Sequence, residues 1–113
     1  MASVDEVWLV DFGEPFPAEP AHRRPALIIG PPDTFGPDFP VVIVCPLTTN
    51  RRGLSLHVEV EPSSATGLSE TSYVQSELIR SVNRQRLARR LGEIDPITSH
   101  RVHDIVSMLT SRR

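Results

Sequence analysis

The chain has 113 residues and a formal net charge of −2, and 39% of its residues are hydrophobic. This length predicts one domain with a modest core, and the composition excludes a wholly disordered chain. The N-terminal MASVDE lacks the basic and apolar regions of a signal peptide, and no apolar run approaches the roughly 18 residues of a membrane span. With a single cysteine, Cys45, these features predict a cytoplasmic protein without disulfides and without a membrane segment.

The basic residues are all arginine, apart from four histidines, and they are unevenly distributed. Acidic residues crowd the first third of the chain, whereas many of the arginines lie later, at Arg51, Arg52, Arg80, Arg84, Arg86, Arg89 and Arg90. Because the guanidinium group binds phosphate with two parallel hydrogen bonds, this clustering indicates a local basic face on a nearly neutral protein.

The first half of the chain predicts strands separated by loops rich in proline and glycine. Strands are expected over residues 7–12, 26–30 and 41–45, with loops over residues 13–23 and 31–40. Pro25 cannot donate to a strand ladder and therefore suits the first position of the second strand. The third run is apolar throughout, which predicts a central strand covered on both faces, with Cys45 as a buried structural thiol.

The second half predicts further short strands and then helices. Residues 54–61 alternate apolar and polar side chains, which is typical of a half-buried antiparallel strand, and short strands are expected over residues 71–75 and 77–82. Residues 83–91 (NRQRLARRL) predict a short helix capped by Asn83, and Asp95 with Pro96 predicts the start of a C-terminal amphipathic helix. This order predicts a small twisted barrel or half-barrel.

Polar groups stand at the ends of the second and third predicted strands. Arg24 precedes the second apolar run, and Thr48 and Thr49 follow the third. If the two runs pair in one sheet, a guanidinium and two hydroxyl groups meet at one place. Such a place can hold a phosphate group.

Four motifs, in this order, resemble the MazF/PemK/Kid-type toxins of type II toxin–antitoxin systems. They are EVWLVDF at residues 6–12, RPA at residues 24–26 with Glu19 five residues earlier, PLTTNRRG at residues 46–53, and SYVQSELIRSV at residues 72–82. The resemblance implies a single toxin domain over residues 1–113. It also implies a mainly β protein with a C-terminal helix, built as a small SH3-like β-barrel of the Kid/MazF/CcdB toxin type.

The resemblance also implies an activity and partners. A member of this family is expected to be a homodimeric, sequence-specific endoribonuclease that works without metal or other cofactor and arrests growth. It would cleave single-stranded RNA to a 2′,3′-cyclic phosphate and a 5′-hydroxyl group. A cognate MazE-like antitoxin with a disordered tail would neutralise it.

Carried over to this sequence, the resemblance implies the site residues. Arg24 matches the catalytic arginine and is also the candidate acid, Thr48 matches the active-site hydroxyl, and Glu19 matches an acidic residue of the first loop. RNA cleavage without a metal also needs a general base, and Glu19 and His22 are the candidates in this sequence. RNA-binding residues are expected at Arg23, Thr49, Asn50, Arg51, Gln75, Glu77, Arg80, Arg84 and Arg86. The first loop departs from the family pattern because it carries Pro15, Pro17 and Pro20.

Two other functions fit the same fold. A CcdB-like toxin binds DNA gyrase and cuts nothing, and a non-catalytic binding module would need no convergence of Arg24 and Thr48. Three further histidines, His57, His100 and His103, are expected at the surface, and their spacing does not indicate a metal site.

Overall fold

The computed structural model describes residues 2–112, which form antiparallel strands and a C-terminal helix. The described strands are β1 (Glu6–Asp11), β2 (Arg23–Gly30), β3 (Val41–Thr48), β4 (His57–Val60), β5 (Ser72–Gln75), β6 (Arg80–Asn83) and β7 (Leu87–Glu93). Helix α1 spans Pro96–Leu109, and short 3-10 turns span Asp33–Phe35, Ser76–Leu78 and Arg84–Arg86. No helix within residues 2–112 is long and apolar enough to cross a membrane.

The strands are arranged in the order β4-β5-β3-β2-β1-β7, and β6 also pairs with β3. β4 and β7 therefore lie at the two ends of the sheet, and no pairing between these two strands closes the barrel in the described part of the chain. The fold is an open, curved version of the predicted small barrel.

β3 is the central strand, as its apolar sequence predicts. It pairs with β2 along one edge, and along the other edge with β6 near its start and with β5 near its end. Val42 and Val44 enter one buried cluster, whereas Cys45 and Leu47 enter a second cluster. Alternate side chains thus pack on opposite faces, which confirms the prediction of a strand covered on both sides. The strand continues to Thr48, three residues beyond the predicted end.

Helix α1 covers one of these clusters and begins where the sequence predicts. Val102 is fully buried, with Ile105 and Val106 packed beside it. The Asp95 carboxylate accepts a hydrogen bond of 2.7 Å from the backbone N–H of Thr98, and this bond lowers the pKa of Asp95.

The predicted helix over residues 83–91 is wrong. Asn83 does cap a turn, since its side-chain oxygen accepts from the backbone N–H of Gln85 at 2.8 Å, but only the single 3-10 turn Arg84–Arg86 follows. The chain then extends as β7 and pairs with β1. Leu87 and Leu91 are four residues apart, and this spacing fits a strand as well as a helix. Backbone hydrogen bonds with the edge of β1 stabilise the strand and not the helix.

Two other predicted strands have different bounds. The alternating segment over residues 54–61 forms a ladder only in β4, because the residues before His57 make a turn in which His57 N–H donates to the Leu54 carbonyl at 3.1 Å. The segment over residues 77–82 is split, because the 3-10 turn Ser76–Leu78 separates β5 from β6. This turn redirects the chain from one partner region of β3 to another.

The contact between the turn before Leu68 and β7 depends on glycine. Gly67 has a φ of +70°, and a Cβ atom there would lie 1.9 Å from the Leu91 carbonyl oxygen. Gly53 has a similar φ of +66°, but a Cβ atom there would meet no other atom within 4 Å. The two positions share backbone strain and differ in crowding.

Gly67→Ala should therefore lower the free energy of unfolding by roughly 2–4 kcal/mol, because strain and overpacking add. Gly53→Ala should cost only about 1 kcal/mol, from strain alone. Urea unfolding followed by circular dichroism measures both values. Equal losses in the two variants would contradict the close contact between Gly67 and β7.

Candidate active site

A cleft of about 370 Å³ lies beside the start of β2 and the end of β3. Its lining comes from distant parts of the sequence. Its lining residues are Ala18, Glu19, Arg24, Thr48, Asn50, Arg52, Leu54, Gln75, Glu77 and Leu78. The strand register explains why the start of β2 and the end of β3 meet. Ala26 pairs with Pro46 and Leu27 with Cys45, so the same antiparallel register continued by two residues brings Arg24 opposite Thr48.

Arg24 and Thr48 give the cleft two kinds of hydrogen-bond donor. Among residues 2–112 no acceptor or carboxylate pairs with the Arg24 guanidinium, so its N–H groups are available to an anion. Thr48 is 6% exposed, and its Oγ1 accepts from the backbone N–H of Asn50 at 3.2 Å. The Thr48 hydroxyl hydrogen therefore remains able to donate into the cleft. With Arg52 also in the lining, the cleft suits a phosphate group.

Two carboxylates line the same cleft and differ in how firmly they are held. The Glu19 side chain is 56% exposed, and its nearest cationic contact, from Oε1 to Arg80 Nη1, is 3.9 Å long. The Glu77 side chain is 31% exposed and accepts from His57 Nε2, at 2.8 Å to Oε2 and 3.1 Å to Oε1. Glu77 is thus held in its turn by His57, whereas Glu19 lies on an exposed loop.

The prediction that His57 lies at the surface is wrong. Its side chain is only 2% exposed, although alternation along residues 54–61 placed it with the outward polar residues. His57 stands opposite Gln75 in the β4–β5 pair, and the following 3-10 turn brings Glu77 over the ring. This burial comes from a turn that the sequence pattern does not show.

Arg80 lies beside the cleft and links its loop to the sheet. Its guanidinium carbon stands 5.7 Å from the centre of the Phe12 ring, within range of a cation–π interaction. Its contact with Glu19 ties the first loop loosely to β6. Phe12 belongs to the motif at residues 6–12, but neither its contact with Arg80 nor the Arg80–Glu19 contact was indicated by the sequence.

His22 and Arg23 do not line the cleft, although they immediately precede Arg24. His22 is exposed and has a φ of 57°. Its backbone closes the first loop, because His22 N–H donates to the Gly13 carbonyl at 2.7 Å and its carbonyl accepts from Phe12 N–H at 2.8 Å. Arg23 is exposed and stands opposite Asp11 in the β1–β2 strand ladder. Alternation along β2 turns its side chain away from the face of Arg24.

The other predicted RNA-binding residues are divided among several surfaces. Asn50 and Gln75 line the cleft, and the Gln75 amide oxygen is buried without a hydrogen-bond partner in the described chain. Thr49 lines a separate depression together with Ser72, and Arg51 lines one that contains Tyr73. These placements leave Thr49 and Arg51 as neighbours of the cleft.

Arg84 and Arg86 are engaged elsewhere in the fold. The Arg84 side chain donates to the Phe39 carbonyl, and Arg86 Nη1 donates to the Asp11 carbonyl at 3.1 Å. Both guanidinium groups thus hold loops against the sheet, and the structure does not bring them into the cleft.

Cys45 lies behind this region as a buried thiol, as the sequence predicts. Burial, together with a smaller contribution from the negative charge of Glu77, raises the pKa of the Cys45 thiol to about 12. No group of three His, Cys, Asp or Glu side chains within residues 2–112 is arranged to hold a metal ion.

The thiol of folded protein should therefore resist iodoacetamide at pH 8, because almost none of it is thiolate, and should react readily in urea. Because the folded pKa is raised, its contribution to stability is complete below the unfolded pKa and is lost as pH rises toward about 12. Mass spectrometry of alkylated protein measures the reaction. Rapid modification without unfolding would contradict this placement of Cys45.

Comparisons with known proteins agree with this architecture. The family described as PemK-like, MazF-like toxin of type II toxin-antitoxin system matches residues 4–109. Among solved structures, MazF from Deinococcus radiodurans has a TM-score of 0.81 at 22% identity, covering 96% of this chain and 94% of that chain. A mycobacterial endoribonuclease in complex with its cognate antitoxin has a TM-score of 0.76 at 23% identity, covering 96% and 93%. These structures confirm the predicted fold.

Curated relatives are closer in sequence. Endoribonuclease MazF2 of Mycobacterium bovis and endoribonuclease MazF6 of Mycobacterium tuberculosis are each 30% identical to this chain over 98 residues. The aligned region covers 86% of this chain and 86% of each relative. The chain therefore belongs to the PemK-like, MazF-like toxin family of type II toxin–antitoxin systems.

Proposed function

We propose that this protein is an endoribonuclease toxin that cleaves single-stranded RNA in the cleft of Arg24 and Thr48. The observation that carries this proposal is the convergence on one cleft of the Arg24 guanidinium, which pairs with no other described side chain, the Thr48 hydroxyl and the Glu77 carboxylate held by His57. The curated relatives named endoribonucleases support the same activity.

The reaction uses the RNA's own 2′-hydroxyl as nucleophile, with these side chains and a water molecule. The 2′-oxygen of a nucleotide attacks the adjacent phosphorus and loses its proton to a general base, while the bond from phosphorus to the 5′-oxygen breaks. The products are a 2′,3′-cyclic phosphate and a 5′-hydroxyl group. Negative charge grows on the phosphoryl oxygens as the bonds change, and Arg24 and Thr48 are placed to donate to those oxygens.

Glu77 suits the role of general base better than Glu19 or His22. A general base must stand at a fixed position beside the proton that it accepts. Glu77 is held by His57, whereas Glu19 is more exposed and His22 does not line the cleft. We therefore assign the 2′-proton to the Glu77 carboxylate.

Arg24 is assigned to charge stabilisation and not to proton donation. A guanidinium group keeps its proton in proteins at neutral pH, which weakens its role as the acid. The cleft is open to solvent, so a water molecule can protonate the leaving 5′-oxygen. Arg24 then contributes through hydrogen bonds that strengthen as the phosphorane forms.

Sequence specificity would arise from the polar residues around the scissile phosphate. Gln75 and Asn50 each place an amide side chain in the lining, and an amide N–H2 group can donate to a base edge. Single-stranded RNA exposes such edges. Thr49 and Arg51, in the neighbouring depressions, would bind the flanking backbone.

We also propose that the chain acts as a cytoplasmic homodimer and is neutralised by a MazE-like antitoxin. A small domain gains stability by pairing, and one copy presents only a short cleft to RNA. Helix α1 exposes Ile97 and Met108, which gives a partner apolar contacts. The mycobacterial endoribonuclease solved with its cognate antitoxin supports such a partner.

Purified protein, free of antitoxin, should cut mixed-sequence single-stranded RNA in the presence of EDTA and leave cyclic-phosphate ends, detected by mass spectrometry. Arg24→Ala should lower the cleavage rate by at least about a hundredfold, because one donor to the developing charge is lost. Arg101→Ala, an exposed substitution on α1 outside the cleft, is the matched control and should cleave normally.

Intact RNA after incubation with folded wild-type protein would contradict the proposed activity. Inhibition of gyrase supercoiling by the same preparation would then favour the CcdB-like function. Full activity of Arg24→Ala would remove Arg24 from the reaction while leaving the activity itself in place.

A further inference from the structure

We infer that His57 is a positioning residue for RNA cleavage, and that it acts only through Glu77. This inference rests on the proposed function, in which the Glu77 carboxylate accepts the 2′-proton. His57 contacts Glu77 and does not line the cleft, although it borders the neighbouring depression of Arg51. Its effect on the reacting groups in the cleft would therefore pass through the carboxylate.

The contact between the two side chains fixes the carboxylate in direction as well as position. His57 Nε2 lies 2.8 Å from Oε2 and 3.1 Å from Oε1 of Glu77, so a single N–H is shared by both oxygens. Whether the ring is neutral or protonated, Nε2 must carry the hydrogen. Each oxygen keeps a further lone pair that can accept a proton. A base oriented in this way needs no reorganisation before it accepts a proton.

The pairing of β4 with β5 holds the imidazole ring of His57 in a fixed position. His57 opens β4 and stands opposite Gln75 on β5, while Glu77 is only two residues beyond Gln75 in the following turn. The imidazole is 2% exposed and therefore has little freedom to rotate. Displacement of the Glu77 carboxylate would break its contact with this fixed donor.

Several buried polar atoms around the His57–Glu77 pair lack hydrogen-bond partners in the described chain. The buried side-chain atoms that lack a hydrogen-bond partner in the described chain are His57 Nδ1, Gln75 Oε1 and Ser76 Oγ. All three belong to the segments that place Glu77. Burying such groups without partners destabilises a fold. A histidine held there at that cost is consistent with a role in the site, since an apolar ring would pack without the unpaired Nδ1.

The role can be tested with substitutions that separate the donor from the volume of the ring. His57→Phe keeps a ring but removes the N–H, and should lower kcat roughly ten- to a hundredfold with little change in KM. His57→Gln retains an N–H donor and should recover much of that loss. Steady-state cleavage of a fluorescent single-stranded RNA measures kcat and KM for each variant.

The double variant gives the sharpest result. Because His57 acts through Glu77, His57→Phe should cause no further loss of kcat when Glu77→Gln is already present. A structural role would lower activity in both backgrounds. His100→Phe is the matched control, since His100 is exposed on α1 and outside the cleft, and its activity should equal that of the wild type. Circular dichroism shows whether each variant is folded.

A long-range ¹H–¹⁵N spectrum of wild-type protein tests the contact without any RNA. It should show His57 protonated at Nε2, and a neutral ring protonated only at Nδ1 would overturn the inference. Unchanged kcat in His57→Phe, or additive losses in the double variant, would overturn the positioning role alone. A folded wild type that cuts no RNA would overturn the proposed function and this role together.

Discussion

The pairing of β2 with β3 is the constraint on which the rest of the site depends. These two strands carry alternate residues into opposite buried clusters, so a shift of register by one residue would exchange the faces and expose both cores. The register that buries Leu27 beside Cys45 is the one that brings Arg24 opposite Thr48. The proposed phosphate site is therefore a geometric consequence of packing the hydrophobic core.

The carboxylate side of the cleft is built differently. Glu77 lies in a 3-10 turn and depends on a buried histidine for its position, and the nearby buried polar atoms without partners weaken the fold there. Arg24 and Thr48 by contrast lie on strands whose pairing stabilises the core. The proposed site thus joins a half proposed to bind phosphate, fixed by strand register, to a half proposed to accept the proton, fixed by a single hydrogen-bonded pair.

The sequence predicted the parts of the candidate site that depend on the order and pairing of the strands. The apolar runs before Thr48 and after Arg24 predicted both the central strand and the meeting of these residues. The sequence did not predict the structure of segments whose conformation depends on contacts with distant parts of the chain. The spacing of Leu87 and Leu91 fits two kinds of structure, and only the unpaired edge of β1 selected a strand. Likewise, the alternation around His57 predicted exposure, because the turn that carries Glu77 over it leaves no periodic signal.

The most direct test of the account is a crystal structure of the protein with an RNA carrying a 2′-deoxy nucleotide at its cleavage site, which removes the nucleophile and preserves the phosphate. The account predicts that the scissile phosphate lies in the cleft, within hydrogen-bond distance of the Arg24 guanidinium and the Thr48 hydroxyl, with the 2′ position facing Glu77. A scissile phosphate bound elsewhere, for example in the depression lined by Thr49, would contradict it.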